Sequence, residues 1–435
     1  MTAFMGMRGT GDWVTNQAPQ NWREGILFLD PNGQAPLTAM LSMMGSESTD
    51  DPTFHWWTKI LQTQGGAVTA VYTDAILNTL YAAATNSAAG VVVYAKCAAA
   101  VAAHFRVGHQ ALLRNSANDK DDTSAKVVSV TSSGANSSIG CKLLDGAGTA
   151  GTGKTNDLDK CNTILVVGNI NPEGGTIPDA LGYDPTEYSN NTQIFRTPLD
   201  ITRTARLTKL RTGDAYAELK RESLQYHSIE IEKATFFGLK TSGTGSNGKP
   251  EKTTQGIIRF VKENSSTSNV DNFSTNATYA GKTWLQSGET WFDTTLEQVF
   301  RYGSNEKMAF AGSGAILGIN NLAKANAQIR LEPGAESYGL SIQTWITPFG
   351  TLKIKTHPLF SYETTNRNMI VILEPKNMKY RYVTDTTFKK DDSQGKAGPI
   401  GIDGTKEEYL TECGYEFHHP ETFGVLTGVG VDSVV

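Results

Sequence analysis

The feature that most restricts the fold is a proline-free segment with the composition of a long helix. It reads GDAYAELKRESLQYHSIEIEKATFFGLK and runs from Gly213 to Lys240. Asp214 suits the N-cap, because an aspartate side chain accepts a hydrogen bond from the first turn. The helix would have about 26 residues and a length of roughly 40 Å. That is more than twice the usual length of a helix in a globular protein.

Apolar residues in this segment predict two stripes on the helix surface, with charged residues between them. The first stripe would hold Leu219, Tyr226, Ile229 and Phe236, and the second Leu224, Ile231 and Phe237. A helix of this kind is expected to lie across a sheet or along a neighbouring subunit. An ordinary long core helix is the alternative that the pattern leaves open.

The composition favours strands, turns and loops over packed helices. The 435 residues allow two or three cores, or one elaborated domain. The 43 glycines, with many Thr, Ser and Asn residues, suit strands and turns. The net charge of -5 supplies no basic field, so binding to nucleic acid or to a membrane is not expected as the main task.

Neither the cysteines nor the apolar windows indicate secretion or membrane insertion. Four cysteines lie far apart and are expected to be reduced, partly buried thiols in a reducing compartment: Cys97, Cys141, Cys161 and Cys413. The first residues lack the apolar core of a signal peptide. The most apolar window, Ala88–Phe105, contains Lys96 and is mostly alanine, too weakly apolar to span a bilayer. A soluble protein made inside the cell is expected.

One glycine-rich loop matches the phosphate-binding pattern G-x-x-x-x-G-K-[ST], at Gly148–Thr155 (GTAGTGKT). Such a loop holds phosphate where a buried strand leads into it and a helix follows it. Here the next strand-like segment, Thr163–Ile170, follows too soon, because a crossover connection needs at least about ten to twelve residues. The context predicts a turn between two strands. A P-loop nucleotide-binding enzyme is the weaker alternative.

Other motifs gather no catalytic groups. None of the seven histidines forms an H-E-x-x-H motif, and His418–His419 is interpreted as a pair of solvated loop histidines. No G-x-S-x-G elbow is present, and the acid pairs Asp50–Asp51 and Asp391–Asp392 fall in polar loops where nothing would raise a pKa. The sequence therefore predicts no catalytic, cofactor-binding or metal-binding residue, and a protein that is not an enzyme.

Strand signals dominate the N-terminal half of the chain. Residues 1–45 are predicted to form an extended arm, with a short helix at Pro36–Met44. Thr53–Trp57 predicts a strand that carries Phe54 and Trp56 on one face and His55 and Trp57 on the other. Further strands are predicted between turn-forming residues: Val91–Tyr94, Ala111–Arg114, Lys126–Thr131, Lys142–Leu144 and Thr163–Val167.

Helix and strand signals alternate after the long helix. Thr290–Gly303 predicts an amphipathic helix with Leu296, Val299 and Phe300 on its apolar side. KMAFAGSGAILGINNLAKA then predicts a buried strand, a glycine turn and a helix, and the C-terminal part predicts three or four more strands. The whole pattern is α+β.

This order of elements resembles the major capsid proteins of tailed bacteriophages with the HK97-like fold, in particular the family typified by the phage SU10 major head protein. Three segments carry the resemblance: PTFHWWTK at Pro52–Lys59, NNTQIFRTPLDIT at Asn190–Thr202, and the helical segment Tyr216–Lys240. The resemblance implies that the first two are the outgoing and returning strands of an extended loop (E-loop). It implies that the third is the spine helix.

The resemblance also implies a division of the chain. An N-terminal arm would cover 1–45, the E-loop 46–79 and 171–210, and a β-rich insertion 80–170, where the sequence departs from the plainest family members. The spine helix and peripheral domain would cover 211–285, and the axial domain with return strands to the peripheral domain 286–435. No residue can be assigned to a covalent link between subunits.

The function implied is that of a shell subunit of the virion, assembled in the bacterial host cytoplasm. Expected partners are other copies of the chain in hexamers and pentamers, the portal protein, a separate scaffolding protein, a possible decoration protein and non-specifically bound packaged double-stranded DNA, with no membrane. The arm is expected to be too short to hold a fused scaffolding domain. An encapsulin-like compartment shell is the main alternative.

Overall fold

The computed structural model describes residues 46–83, 85–117, 122–146, 158–208, 213–325, 332–333, 343–390 and 404–434. The chain divides into two compact units. One is Lys59–Thr186, here called the barrel unit, and the other combines the residues up to Thr58 with those from Glu187 onwards, here called the shell unit. The predicted arm at 1–45, the loop Gly148–Thr155 and the acid pair Asp391–Asp392 lie outside the described residues.

The strands, in chain order, are β1 (Ser46–Ser48), β2 (Thr53–Thr58), β3 (Gly65–Tyr72), β4 (Val92–Cys97), β5 (His109–Arg114), β6 (Thr123–Thr131), β7 (Ser138–Leu143), β8 (Thr163–Asn169), β9 (Thr186–Asn191), β10 (Gln193–Thr202), β11 (Thr241–Thr244), β12 (Pro250–Thr253), β13 (Val270–Asn272), β14 (Glu306–Ala311), β15 (Glu332–Pro333), β16 (Gln343–Thr347), β17 (Gly350–Thr356), β18 (Ile370–Leu373), β19 (Met378–Lys389), β20 (Gly404–Phe417) and β21 (Gly424–Thr427).

The α-helices are α1 (Ala99–Ala102), α2 (Arg203–Leu207), α3 (Ala215–Phe237), α4 (Ile257–Asn264), α5 (Trp284–Phe300), α6 (Ser313–Ala325) and α7 (Pro358–Tyr362). Helices and strands together confirm the predicted α+β class.

The barrel unit is built on a closed barrel with the strand order β3-β4-β7-β6-β5-β8. Its strand pairs are all antiparallel. Alternate residues point into a core of mostly small and β-branched side chains, such as Val93, Ala111 and Val127. The five strands predicted between Val91 and Val167 are all present. The sequence prediction missed β3, since its sequence GGAVTAVY mixes glycine and alanine with few large residues. The compact unit is therefore wider at both ends than the block predicted at 80–170.

The shell unit contains two larger sheets. A four-stranded sheet has the order β1-β19-β20-β10, and a seven-stranded sheet has the order β13-β21-β18-β14-β17-β16-β15. The long strands β19 and β20 pair with each other, and β10 pairs with β20 along its whole length. The C-terminal segments contain six strands, β16 to β21, where the sequence predicted three or four.

Two short ribbons complete the shell unit: β2 with β9, and β11 with β12. Strand β2 has the predicted alternation, with Phe54 and Trp56 buried and Trp57 exposed. Its partner is β9, which overlaps the expected returning segment Asn190–Thr202 only at its start. Most of that segment forms β10 instead, because its alternating Phe195, Leu199 and Ile201 are buried when it lies against β20.

The shell unit has two apolar cores. One lies around Trp56, Phe236, Phe260 and Phe417, and the other around Trp284, Trp291, Phe292 and Leu352. Helix α5 buries Leu296, Val299 and Phe300 as predicted, but it begins at Trp284, six residues before the predicted start at Thr290. The earlier start follows from a capping box in which the Thr283 and Gln286 side chains bond each other's backbone N–H.

The long helix α3 is confirmed as an element, but not in its apolar stripes. Asp214 caps it by accepting a hydrogen bond from the N–H of Tyr216 at 3.0 Å. The buried residues are Ser223, His227, Ile231, Glu232, Thr235 and Phe236, whereas Leu224, Tyr226 and Phe237 are exposed. Each predicted stripe therefore has one buried member, Phe236 in the first and Ile231 in the second. Most of the buried face is polar instead, and its residues His227 and Glu232 have hydroxyl and imidazole partners outside the helix.

Candidate functional site

The middle of helix α3 meets the four-stranded sheet through a polar contact. His227 is 1% exposed. Its Nδ1 lies 2.9 Å from Oγ1 of Thr197 on β10, and its Nε2 lies 2.7 Å from Oγ1 of Thr411 on β20. Burial lowers the pKa of this imidazole. The neutral ring therefore ties the helix to two neighbouring strands, with one nitrogen donating and the other accepting.

The N-terminal end of α3 is attached to the same sheet by aromatic and charged groups. The hydroxyl of Tyr216 donates to the carboxylate of Glu407 on β20. The guanidinium of Arg206 lies over the Tyr216 ring, 4.8 Å from its centre, and the ammonium of Lys220 lies 3.9 Å from the centre of the Phe388 ring on β19. Cation–π contacts of this kind hold long side chains on the sheet surface.

The C-terminal half of α3 carries a fully buried acid–imidazole pair. Oε1 of Glu232 lies 2.8 Å from Nε2 of His357, which follows β17. Nδ1 of His357 accepts the N–H of Leu359 at 3.2 Å, so its Nε2 carries the proton donated to Glu232. The rings of Phe236, Phe310 and Phe360 surround His357 at centroid distances of 4.9, 5.5 and 4.8 Å. This pair connects the helix with the seven-stranded sheet.

A second buried ion pair lies within the seven-stranded sheet. Nζ of Lys307 on β14 lies 3.2 Å from Oε2 of Glu374 and also donates to the carbonyl oxygens of Tyr302 and Thr422, at 3.0 and 2.7 Å. All three ammonium donors are therefore used. Burial lowers the pKa of Lys307, and the Glu374 carboxylate opposes that shift.

The sequence did not predict these buried polar residues, because they belong to no catalytic motif along the chain. The four-residue spacing of Ser223, His227, Ile231 and Thr235 was the available signal, since it places all four on one face of a helix. Thr411, a partner of His227, and His357, the partner of Glu232, each lie more than a hundred residues away from that partner in sequence and are brought close to it only by the fold.

Large apolar side chains remain exposed on the outer surfaces of the shell unit. Trp57 on β2 is 60% exposed, although its neighbours Phe54 and Trp56 are buried. Tyr226 and Phe237 on α3 and Ile194 on β10 are also exposed. Exposed aromatic and aliphatic side chains are typical of surfaces that other chains cover. Among the described residues of this unit, the remaining large exposed ones are Leu207, Leu224, Leu239, Leu285, Tyr302, Leu317, Ile346, Phe349, Tyr362, Val383, Val431 and Val434.

The described residues show little of the chemistry of an active site. Among them, no group of three or more His, Cys, Asp and Glu side chains is placed to hold a metal ion. His418 lies 2.6 Å from Oε1 of Glu416, whose other oxygen is bound by Arg381, so this carboxylate is already paired. No helix in the described ranges is long and apolar enough to cross a bilayer.

The four cysteines are free and buried, as predicted. Burial raises the pKa of Cys97 and Cys161 to about 11 and that of Cys141 and Cys413 to about 12. Because the thiolate is the reactive form, these thiols are inert near neutral pH.

Known proteins match this chain along almost its whole length. The family model described as SU10 major capsid protein matches residues 8–430. The major capsid protein of Pseudomonas phage PaMx41 is 25% identical over 421 residues, covering 93% of this chain and 91% of the relative.

Solved structures give more distant likenesses. The Mycobacterium phage Bobi structure has a TM-score of 0.44 at 9% identity and covers 94% of this chain and 95% of that one. The holo-SrpI encapsulin complex from Synechococcus elongatus PCC 7942 has a TM-score of 0.36 at 12% identity, over 58% of this chain and 78% of that one.

The family match confirms the capsid identity expected from the three sequence segments, and with it the expected HK97-like α+β fold. The buried polar pairs of helix α3 and the exposed aromatic side chains of the shell unit agree with this identity. By its match over residues 8–430, this chain belongs to the SU10 major capsid protein family.

Proposed function

We propose that copies of this chain form hexamers and pentamers that close into an icosahedral shell around double-stranded DNA. The observation that carries the proposal is the family match over residues 8–430. Helix α3 supports it, because its inner face is fixed to two sheets by His227 and Glu232 while Tyr226 and Phe237 face outward. A rigid element with exposed apolar side chains suits contacts between subunits.

The proposal assigns a role to each part of the chain. Residues 1–45 serve as an arm, 46–79 and 171–210 as the E-loop, and 80–170 as an insertion within that loop. The barrel unit supports an insertion at this point of the chain, because the chain leaves the shell unit after Thr58 and returns to it at Glu187, and this unit extends beyond 80–170 at both ends. Residues 211–285 form the spine helix and peripheral domain, and 286–435 form the axial domain.

Further partners belong to the same proposal. The shell would be assembled in the bacterial host cytoplasm with a portal protein and a separate scaffolding protein, and a decoration protein could be added to it. The packaged DNA would be held non-specifically, in keeping with the net charge of -5, since a strongly basic inner surface would bind DNA tightly and oppose its release. Tight, salt-sensitive DNA binding by the isolated subunit would contradict this part.

Electron microscopy tests the assembly. The chain is expressed alone and together with the products of neighbouring genes, and particles are examined by negative stain and then by cryo-EM. Closed hollow shells, or rings of five and six subunits, are the expected result. Discrete monomers or dimers under every condition would contradict self-assembly.

The proposal includes no catalytic activity. The motif that suggested otherwise, Gly148–Thr155, lies outside the described residues, so a binding assay is the direct test. We expect no ATP or GTP binding at millimolar concentration, and the same result for Lys154→Ala. Nucleotide binding by the unaltered chain that disappears in Lys154→Ala would revive the P-loop alternative.

A further inference from the structure

A cleft in the barrel unit is lined by Arg106, whose side chain forms no ion pair with a carboxylate in the described part of the chain. It has a volume of about 540 Å³ and is lined by Gln64, Arg106, His109, the end of β8 from Val166 to Asn169, and the segment 177–181. All of these residues belong to the barrel unit. Strand β8, which borders the cleft, is three strands away from β7 in either direction around the closed barrel.

Arg106 is fixed in this cleft by two hydrogen bonds. Its Nε donates to Nε2 of His109 at 3.0 Å, and its Nη1 donates to the carbonyl oxygen of Asp179 at 2.7 Å. A guanidinium has five N–H groups, so three of them have no acceptor within the described ranges of the chain. No carboxylate in those ranges forms an ion pair with Arg106, although Asp179 is among the residues that line the cleft.

His109 keeps the guanidinium available for a ligand. The imidazole is buried, and burial together with the Arg106 charge lowers its pKa. The Arg106 Nε–H approaches Nε2 of this ring at 3.0 Å, and the backbone N–H of Arg106 approaches Nδ1 at 3.3 Å. A neutral imidazole accepts at one nitrogen only, and the shorter contact assigns that role to Nε2, so the ring accepts from the guanidinium without cancelling its charge. Arg106 is thus held in place by two neutral acceptors and keeps a full positive charge. A bound carboxylate would supply the missing counter-charge.

The cleft also borders a free strand edge. Strand β8 pairs with β5 as far as Asn169 but with β3 only as far as Leu165. After the bond from the N–H of Val166 to the carbonyl of Gln64, at 2.9 Å, no residue of β3 pairs with β8. Gln64 has a φ of 43°, in the left-handed region that a residue with a side chain rarely adopts. Residues 167–169 therefore have a strand neighbour on one side only.

A β-bulge shapes this edge. Gln110 of β5 pairs with Gly168 and the next residue, Ala111, pairs with Val166, so Val167 is the extra residue of the bulge. Bulges are frequent at sheet edges and beside functional sites, where they redirect the backbone. Val167 is 60% exposed, which leaves its side chain and the adjoining edge accessible.

We propose that this cleft binds an extended acidic peptide segment of a partner protein. The peptide would add to the free side of β8 at residues 167–169, and one of its carboxylates would bind the unused N–H groups of Arg106. Strand addition supplies main-chain hydrogen bonds, and the charged contact supplies specificity. A nucleic acid fits this cleft poorly, because a single arginine beside an aspartate is too weakly basic to hold a phosphate backbone.

Fluorescence anisotropy with the full-length protein tests the charge requirement. The probes are labelled peptides of the sequence TVTETVT, with TVTQTVT and TVTKTVT as matched controls. We expect the glutamate peptide to bind at least tenfold more tightly than the glutamine and lysine peptides. This comparison needs no variant. Equal binding of the three peptides, or no binding by any of them at millimolar concentration, would overturn the proposal.

Two variants locate the contact. Arg106→Met is expected to weaken binding of the glutamate peptide at least tenfold, whereas Lys142→Met, which removes one exposed positive charge from β7 of the same barrel, leaves binding unchanged. Equal losses in both variants would refute the assignment to Arg106. Circular dichroism and thermal unfolding of both variants show whether the barrel remains folded. If a variant does not fold, the comparison of the three peptides with the unaltered protein still tests the proposal.

Hydrogen exchange tests strand addition separately from the ionic contact. Saturating peptide is expected to slow amide exchange at residues 167–169 while leaving exchange in β7 unchanged. Binding without protection at 167–169 would show a surface ion pair only, and it would overturn the strand-addition geometry. If acetate at the same concentration as the peptide displaced it, the cleft would be an adventitious anion site only, and the proposal would be overturned.

Discussion

A Cβ atom placed on Gly303 would lie 2.0 Å from Oε2 of Glu374, the same oxygen that binds Lys307. Gly303 has a φ of 87° and closes the turn after helix α5. The N–H of the next residue, Ser304, donates to the other oxygen of Glu374 at 3.1 Å. The turn after α5 is therefore shaped around a buried carboxylate, and glycine is required there both for space and for backbone conformation.

Gly303→Ala is expected to destabilise the shell unit strongly, because the new methyl group would displace the Glu374 carboxylate from Lys307. The matched control is Gly281→Ala, since Gly281 also has a positive φ, of 69°, but nothing within 4 Å of its added Cβ. In the control, the free energy of unfolding should fall only by the cost of the backbone strain, about 1–2 kcal/mol. Chemical denaturation measures both. Equal losses would show that the contact with Glu374 contributes nothing.

Lys307→Met is expected to lower the free energy of unfolding by about 3–5 kcal/mol, because it leaves the Glu374 carboxylate buried without its partner. The control is Lys353→Met, whose ion pair with Glu306 is exposed and should contribute no more than about 1 kcal/mol. The double variant Lys307→Met, Glu374→Met should recover much of the loss. A Lys307→Met protein as stable as the Lys353→Met protein would contradict the assigned role of the pair.

Acidification is expected to weaken the attachment of helix α3 to its sheet. Burial lowers the pKa of His227 below 6.5 in the folded state. The unfolded chain therefore binds this proton more readily, so the contribution to stability is complete above pH 6.5 and declines as the pH falls from 6.5 towards the folded pKa.

The measurement is the free energy of unfolding across pH 5 to 7.5 for the unaltered protein and for His227→Gln. His227→Gln should lose less stability on acidification than the unaltered protein. The pKa of His109 is lowered too, so amide exchange in α3 provides the local measurement for the shell unit. An unchanged pH slope in His227→Gln would exclude this histidine as a cause.

Trp57→Ser is expected to impair shell assembly without unfolding the subunit. The side chain is 60% exposed on a strand whose opposite face is buried, so its loss costs the isolated subunit little. At an interface, an aromatic side chain of this size often supplies a large part of the binding energy. We expect at least a tenfold higher critical concentration for assembly, measured by light scattering, and near-normal assembly of Trp57→Phe. Normal assembly of Trp57→Ser would place Trp57 outside the contacts.

Local patterns determined a large part of this structure. The alternation in Thr53–Trp57 predicted which side chains of β2 are buried, and the long proline-free segment after Asp214 predicted helix α3 with its N-cap. Five barrel strands were predicted from short alternating segments between turns. These features depend on side-chain spacing and backbone preferences within a few residues, which a sequence displays directly.

The tertiary structure decided which side of each element is covered, and by what. Helix α3 buries His227 and Glu232 while leaving Leu224 and Tyr226 exposed, because Thr411 and His357 offer hydrogen bonds that outweigh the preference for apolar contact at those positions. Strand β3 joined the barrel because β4 and β8 provided partners on both of its sides, despite its weak signal. The arginine at 106 gained a binding cleft only when Asp179 and the end of β8 were brought beside it. Partners far apart in sequence are set by chain topology, and no local pattern contains that information.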